Sequence, residues 1–207
     1  VDEARAAGGE ARAYAADLSD LDALEDLLAR IAADGHKVDV LVNNAARSIR
    51  RTVAESYDRF HDYERTMRLN YFAPVRLTLG LLPGMRERGY GQIVNVSTLG
   101  TQTSTPRFSA YLASKYALEG FTRSAAAETL GDGVRFTIVH MPLVRTPMVT
   151  ATSAYDRTPA MSPERAARFI TEALRTRAEV VGPRVGAAAE IAHAVSPTAA
   201  NEVLHAL

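Results

Sequence analysis

The 207-residue sequence contains no cysteine, which excludes disulfides and thiolate chemistry and removes the thiolate ligand from any metal site. Its five histidines show no paired ligand spacing, so no metal site is expected. No apolar run is long enough to cross a bilayer. The opening residues Val1 to Arg5 have neither the basic flank nor the apolar stretch of a signal peptide, and the cytoplasm is the expected compartment. An excess of one charge is missing as well. The 24 basic and 24 acidic side chains cancel, so no global field draws the chain to nucleic acid or to an anionic membrane surface.

What is present is apolar matter for one sizeable core: 47% of the residues are hydrophobic, and residues 1–207 are expected to form a single domain. Ala11 to Asp17 is a plausible strand ending at an acid, and Ser19-Asp20 offers helix caps for the amphipathic stretch Leu21 to Ala33. Val38 to Val42 is a short apolar run closed by Asn43-Asn44, the pattern of a strand buried on both faces. A long helix is expected from about Tyr63 to Arg88, a strand over Gln92 to Ser97, a helix over Ala110 to Leu130 and a strand over Val134 to Val139. Ser162-Pro163-Glu164 opens a helix running to about Thr176, and Ala178 to Val181 is a candidate last strand. This alternation predicts an α/β fold with parallel strands joined by right-handed helical crossovers.

Tyr111 and Lys115 stand four residues apart on a predicted helix, so both lie on one face, with Cβ atoms separated by roughly 6 Å. A free phenol titrates near about 10. Lowering that by about three units takes about 4 kcal/mol, the size of a unit charge pair at ~4 Å in an effective dielectric of ~20. Lys115 is therefore sufficient in principle to make Tyr111 an acid/base at neutral pH. The same spacing occurs on many solvated helices and carries little alone.

Asn43-Asn44-Ala45-Ala46 after a strand, Asn70 within a long helix, Asn95-Val96-Ser97-Thr98 ending the next strand, and Tyr111 with Lys115 resemble the short-chain dehydrogenase/reductase superfamily in order and spacing. The resemblance implies a Rossmann-like, doubly wound parallel sheet and hydride transfer to or from a nicotinamide cofactor, with NADP(H) favoured over NAD(H). It implies that Tyr111 moves the proton on the substrate oxygen, that Lys115 bonds the nicotinamide ribose, and that Asn70 holds a water in the proton relay. Thr98, thirteen residues before Tyr111, stands at the family's serine position, with Ser97 as the fallback. Asp17 looks like the adenine-contacting acid, Asn43 and Ala45 like cofactor-loop contacts, and Thr146 like the residue that reaches the carboxamide. Ala46 stands where glycine is common, and Met141-Pro142 replaces the usual Pro-Gly.

Arg47-Ser48-Ile49-Arg50-Arg51, Thr105 to Tyr111 and Met141 to Met148 resemble, more narrowly, bacterial fatty acyl-CoA reductases. That resemblance implies a long-chain acyl thioester or fatty aldehyde as substrate, with Arg47, Arg50 and Arg51 suited to coenzyme A phosphates. A solvated basic turn explains the same arginines. The family's opening strand, glycine-rich turn and helix have no counterpart before Ala11, because Gly8-Gly9 follows no strand and has no further glycine at the required interval. The sheet is therefore expected to be N-terminally truncated, without strands 1 and 2. In the family order 3-2-1-4-5-6-7 the strand ending at Asp17 then cannot sit beside the one ending at Asn43, and dinucleotide binding by these residues alone is expected to be poor. Two further readings stay open: a non-catalytic module that forms a homodimer or homotetramer through the helices Tyr63 to Arg88 and Tyr111 to Leu130, and a serine hydrolase using Ser97 or Ser114 without a motif-placed base.

Overall fold

In a computed structural model, which describes residues 1–150, 155 and 158–205, four parallel strands form one sheet in the order β1 (Val40–Asn43), β2 (Gly91–Thr98), β3 (Val134–Met141) and β4 (Val180–Val181). Register runs Val40 to Gln92 between the first pair, Gly91 to Val134 between the second and Ile138 to Val180 between the third. Residues Gly91 to Ser97 of β2 are all buried, as a central strand covered on both faces requires.

Helices cover both faces. α1 (Asp2–Ala6) and α2 (Leu21–Ala33) precede the sheet. Between β1 and β2 run α3 (Phe60–Met67), a π-helical turn (Arg68–Phe72) and α4 (Ala73–Glu87). α5 (Leu99–Thr103) and α6 (Ser109–Glu128) link β2 to β3, and α7 (Pro147–Thr150) and α8 (Pro163–Thr176) lie between β3 and β4. α9 (Arg184–Val195) and α10 (Pro197–His205) follow. Met85, Ile93, Val134 and Phe136 pack with Ala125 and Ala126 of α6 on one face, while Val94, Val139 and Val181 pack with Phe169, Ile170 and Ala173 of α8 on the other. The architecture is thus Rossmann-like and doubly wound. Among the described residues no helix is long and apolar enough to cross a membrane.

Local chemistry explains most boundaries. The Asp20 side chain accepts from Asp22 N at 3.0 Å and caps α2, and Ser162 accepts from Arg165 N at 3.3 Å to open α8 ahead of Pro163. Three expectations need correction. The strand expected over Val38 to Val42 with both faces buried spans Val40–Asn43 and leaves Val40 and Val42 exposed, because the core packs against it only on the side of Leu41. Ala11 to Asp17 is not a strand, because no strand is placed to receive its ladder. Its two-residue alternation survives only as packing, with Tyr14, Ala16 and Leu18 set against Leu24 and Leu27 of α2. The long helix from Tyr63 to Arg88 is interrupted by the π-helical turn around Asn70.

Candidate active site

The C-terminal end of β2 delivers two adjacent hydroxyls in opposite directions, because successive strand side chains alternate. The Ser97 hydroxyl donates to the Glu119 carboxylate. Thr98 lies instead on the side of the Tyr111 phenol, whose pKa its hydroxyl acts to lower, and its Oγ1 accepts from Gly100 N at 3.2 Å to cap α5. Thr98 is therefore the hydroxyl that shares space with Tyr111, and the Ser97 fallback drops out.

The start of α6 is held from the side. Arg107, just before it, adopts a left-handed φ of 70°, a conformation that costs a non-glycine residue about 1 kcal/mol, and its carbonyl accepts from Arg51 N at 2.7 Å. That bond ties the arginine-rich loop after β1 to the turn that aims Tyr111.

Lys115, 2% exposed, donates from Nζ to the Val96 carbonyl at 2.7 Å. Burial lowers its pKa to about 8, and the Glu119 charge acts in the opposite direction. The lowering of the Tyr111 phenol expected from Lys115 is not present. Burial raises the Tyr111 pKa, the Thr98 hydroxyl lowers it, and the neighbouring Tyr155 raises it further. The physical reason is burial, which disfavours the phenolate and outweighs the other contributions.

Asn70 is fully buried and bonds to no helical backbone of its own. Its Nδ2 donates to Arg47 O at 2.8 Å and to Ser114 Oγ at 3.0 Å, while its Oδ1 accepts from Arg47 N at 2.8 Å. Ser114 in turn donates to Tyr111 O at 2.6 Å, so Asn70 reaches Tyr111 through the backbone. With these two bonds Ser114 is a structural link rather than a nucleophile. The Asn43 Nδ2 donates to Asn95 Oδ1 at 2.8 Å, and Asn95 donates to Thr122 Oγ1 at 2.8 Å, a ladder that fixes both strand ends against α6.

The remaining sequence candidates lie around this centre. Ala45 is exposed on the loop after β1, and Thr146 is half-buried at the start of α7. Asp17 is exposed, and hydrogen bonds from the Ser19 hydroxyl and amide hold its carboxyl below the usual range. The three arginines diverge: Arg47 acts on Asp17, Arg50 on Tyr155, and Arg51 pairs with Asp62 at 3.3 Å. Three participants carry no signal in the sequence. Tyr155, beside Tyr111, carries no motif, and the buried Glu119 and His140 are recognisable only once α6 is docked on β3. Among the described residues no cluster of three His, Asp or Glu side chains could hold a metal ion.

The sequence model of a family described as short chain dehydrogenase matches residues 1–156. An uncharacterized oxidoreductase of Mycobacterium bovis is 50% identical over 199 residues, covering 96% of this chain and 58% of its own length. A fatty acyl-CoA reductase of Acinetobacter baylyi is 48% identical over 194 residues, covering 94% of this chain and 66% of its own. The chain thus spans less than two thirds of the length of these curated relatives. Among solved structures, a short-chain dehydrogenase from Streptomyces avermitilis superposes with a TM-score of 0.80 at 30% identity, over 96% of this chain and 80% of that one. A metagenomic short-chain oxidoreductase in complex with NADP gives a TM-score of 0.63 at 33% identity, over 70% of this chain and 64% of that one.

Proposed function

We propose, because this chain belongs to the short-chain dehydrogenase family, that it works in nicotinamide-dependent interconversion of a carbonyl and an alcohol, with a long-chain acyl-CoA or fatty aldehyde as the carbonyl substrate. One observation carries the reading: Thr98 at the end of β2 neighbours the Tyr111 phenol and acts to lower its pKa, with the buried Lys115, bonded to Val96 O of the same strand, one helical turn away.

Each residue then has a task that its surroundings allow. Tyr111 gives a proton to the substrate oxygen in reduction, and its raised pKa keeps it in the donor form at neutral pH. Thr98 offers that oxygen a second hydrogen bond, and its extra methyl narrows the pocket relative to serine. Lys115 has three N–H donors and spends one on Val96 O, leaving two for the hydroxyls of a ribose. Asn70 has used both amide donors but keeps a lone pair on Oδ1, which is where a relay water would bind.

The nicotinamide end of a dinucleotide fits these residues, with Asn43, Ala45 and Thr146 on the neighbouring loops; when bound, it supplies or accepts the hydride. Asp17, on whose carboxyl Arg47 acts, would meet the adenosine end. The solved relative holding NADP supports NADP(H) over NAD(H). The fatty acyl-CoA reductase at 48% identity supports the substrate class, and a cytoplasmic location belongs to the same proposal.

Tyr111→Phe tests it. The variant should stay folded by circular dichroism yet lose at least about a hundredfold of its NADPH-dependent reduction of a long-chain acyl-CoA or aldehyde, followed by nicotinamide absorbance. Retained turnover in the folded variant would overturn the assignment of Tyr111. A second reading, an oligomerisation module, has its own support: Phe72 and Leu79, seven residues apart where the π-helical turn runs into α4, are both exposed.

A further inference from the structure

Glu119 lies one helical turn beyond Lys115 on α6, and the proton-handling scheme above makes no use of it. Its side chain is buried, 5% exposed, between the ends of β2 and β3. Oε1 is shared by three groups: the Ser97 hydroxyl donates to it, Thr101 Oγ1 donates at 2.8 Å, and His140 Nε2 stands at 3.3 Å. Oε2 faces Arg123 Nη2 at 3.6 Å, and Arg123 faces Glu190 of α9 at 3.8 Å. The charged and titratable groups around Glu119 are therefore Lys115 and Arg123 from its own helix, His140 from β3, and Glu190 from α9 behind Arg123. β2 and α5 contribute only hydroxyls.

We propose that Glu119 is a positioning residue: its carboxylate locks Ser97, and with it the adjoining Thr98, onto the helix that carries Tyr111, and supplies the negative charge that keeps the buried Lys115 ammonium protonated. The inference rests on the reading of Tyr111 and Lys115 as the working pair. Geometry carries the first half, since donors from β2 and α5 meet at Oε1 with His140 of β3 3.3 Å away, and a shift of α6 against the sheet would disturb all three contacts at once. The second half follows from burial. Desolvation drives Lys115 toward its neutral form, and Glu119 is the charge that opposes it. Burial also works against Glu119 itself, but the nearby His140 and the hydrogen bonds from Ser97 and Thr101 outweigh it and hold the carboxyl below its usual value.

The chain has two lysines, Lys37 and Lys115, so an isotope-labelled lysine spectrum contains two side-chain signals, which Lys37→Arg assigns. Glu119→Gln keeps the shape and an acceptor oxygen while removing the charge. In that variant the Lys115 midpoint should fall by about one unit, and the alkaline limb of kcat/KM should move to lower pH by the same amount. An unchanged Lys115 midpoint in the folded variant overturns the proposal. A lowered midpoint with an unmoved pH–rate profile upholds the Glu119–Lys115 coupling and instead overturns the acid/base reading beneath it. Should the variant fail to fold, wild-type protein decides: the Glu119 carboxyl carbon signal must shift as Lys115 loses its proton, and a Glu119 signal indifferent to that step refutes the coupling.

Discussion

Asp62 gathers three guanidinium groups around one carboxylate: Arg65 at 2.6 Å, Arg59 at 3.2 Å and Arg51 at 3.3 Å, with His61 also at 3.3 Å. The carboxylate is 1% exposed, yet the arginines that roof it are open to water, so the cluster is screened from outside. Burial pushes the Asp62 pKa up, but hydrogen bonding to Arg59 and the charges of Arg65, Arg59 and His61 pull it below the ordinary value. The sign follows from that lowering. The stabilisation is fully present above the unfolded value near about 4 and is lost as pH falls through the lower native value. Asp62→Ala should cost about 1–3 kcal/mol at neutral pH, and the difference from wild type should shrink in acid and in high salt, as urea melts across pH will show. At this scale the sequence is read well where chemistry is local. Tyr111 and Lys115 lie on one face of α6 and Thr98 ends the strand beside them, because a helical spacing of four and a strand end are short-range facts, whereas Asn70 meets Tyr111 only through Ser114 and the backbone. Glu119 and His140 were not legible, because 21 residues separate them and only the docking of α6 on β3 brings them together.

Elements are legible when their partners lie nearby. The helix predicted over Leu21 to Ala33 forms with those bounds because a cap and an apolar stripe define it. The π-helical turn was hidden, since the apolar pattern runs on through it. Its one sequence signal is Pro74, four residues after Asn70, which has no N–H to give the Asn70 carbonyl and so releases it from α-helical pairing. α9 was equally obscure, being alanine-rich with only Gly186 fully buried against its neighbours. The turn into β3 offers a sharp test. Gly133 has φ of +72°, and a Cβ there would stand 1.9 Å from the Gly89 carbonyl oxygen, a backbone atom that cannot swing aside. Gly133→Ala should lower stability by about 2–4 kcal/mol and Tm by roughly 5–12 °C. Gly131→Ala, where nothing lies within 4 Å, should change little, and calorimetry of the pair separates strain from a general glycine effect.

The whole molecule keeps its chemistry at one end of a parallel sheet, as open α/β sheets do. That placement was readable from the alternation of strands and helices. The irregular path of Ala11 to Asp17 was foreseen only as a strand short of neighbours, because its alternation fixes which side chains pack and not whether a ladder exists. Association belongs to this scale too. If copies meet through the face bearing Phe72 and Leu79, Leu79→Arg should return them to monomers in sedimentation while the circular dichroism spectrum stays unchanged. The β1 margin has no strand beside it among the described residues, and Val40 and Val42 are exposed there. In the family order 3-2-1-4-5-6-7 this is the margin at which strand 1 pairs, so its four outward backbone groups are matched to a further strand of the same sheet rather than to a second molecule.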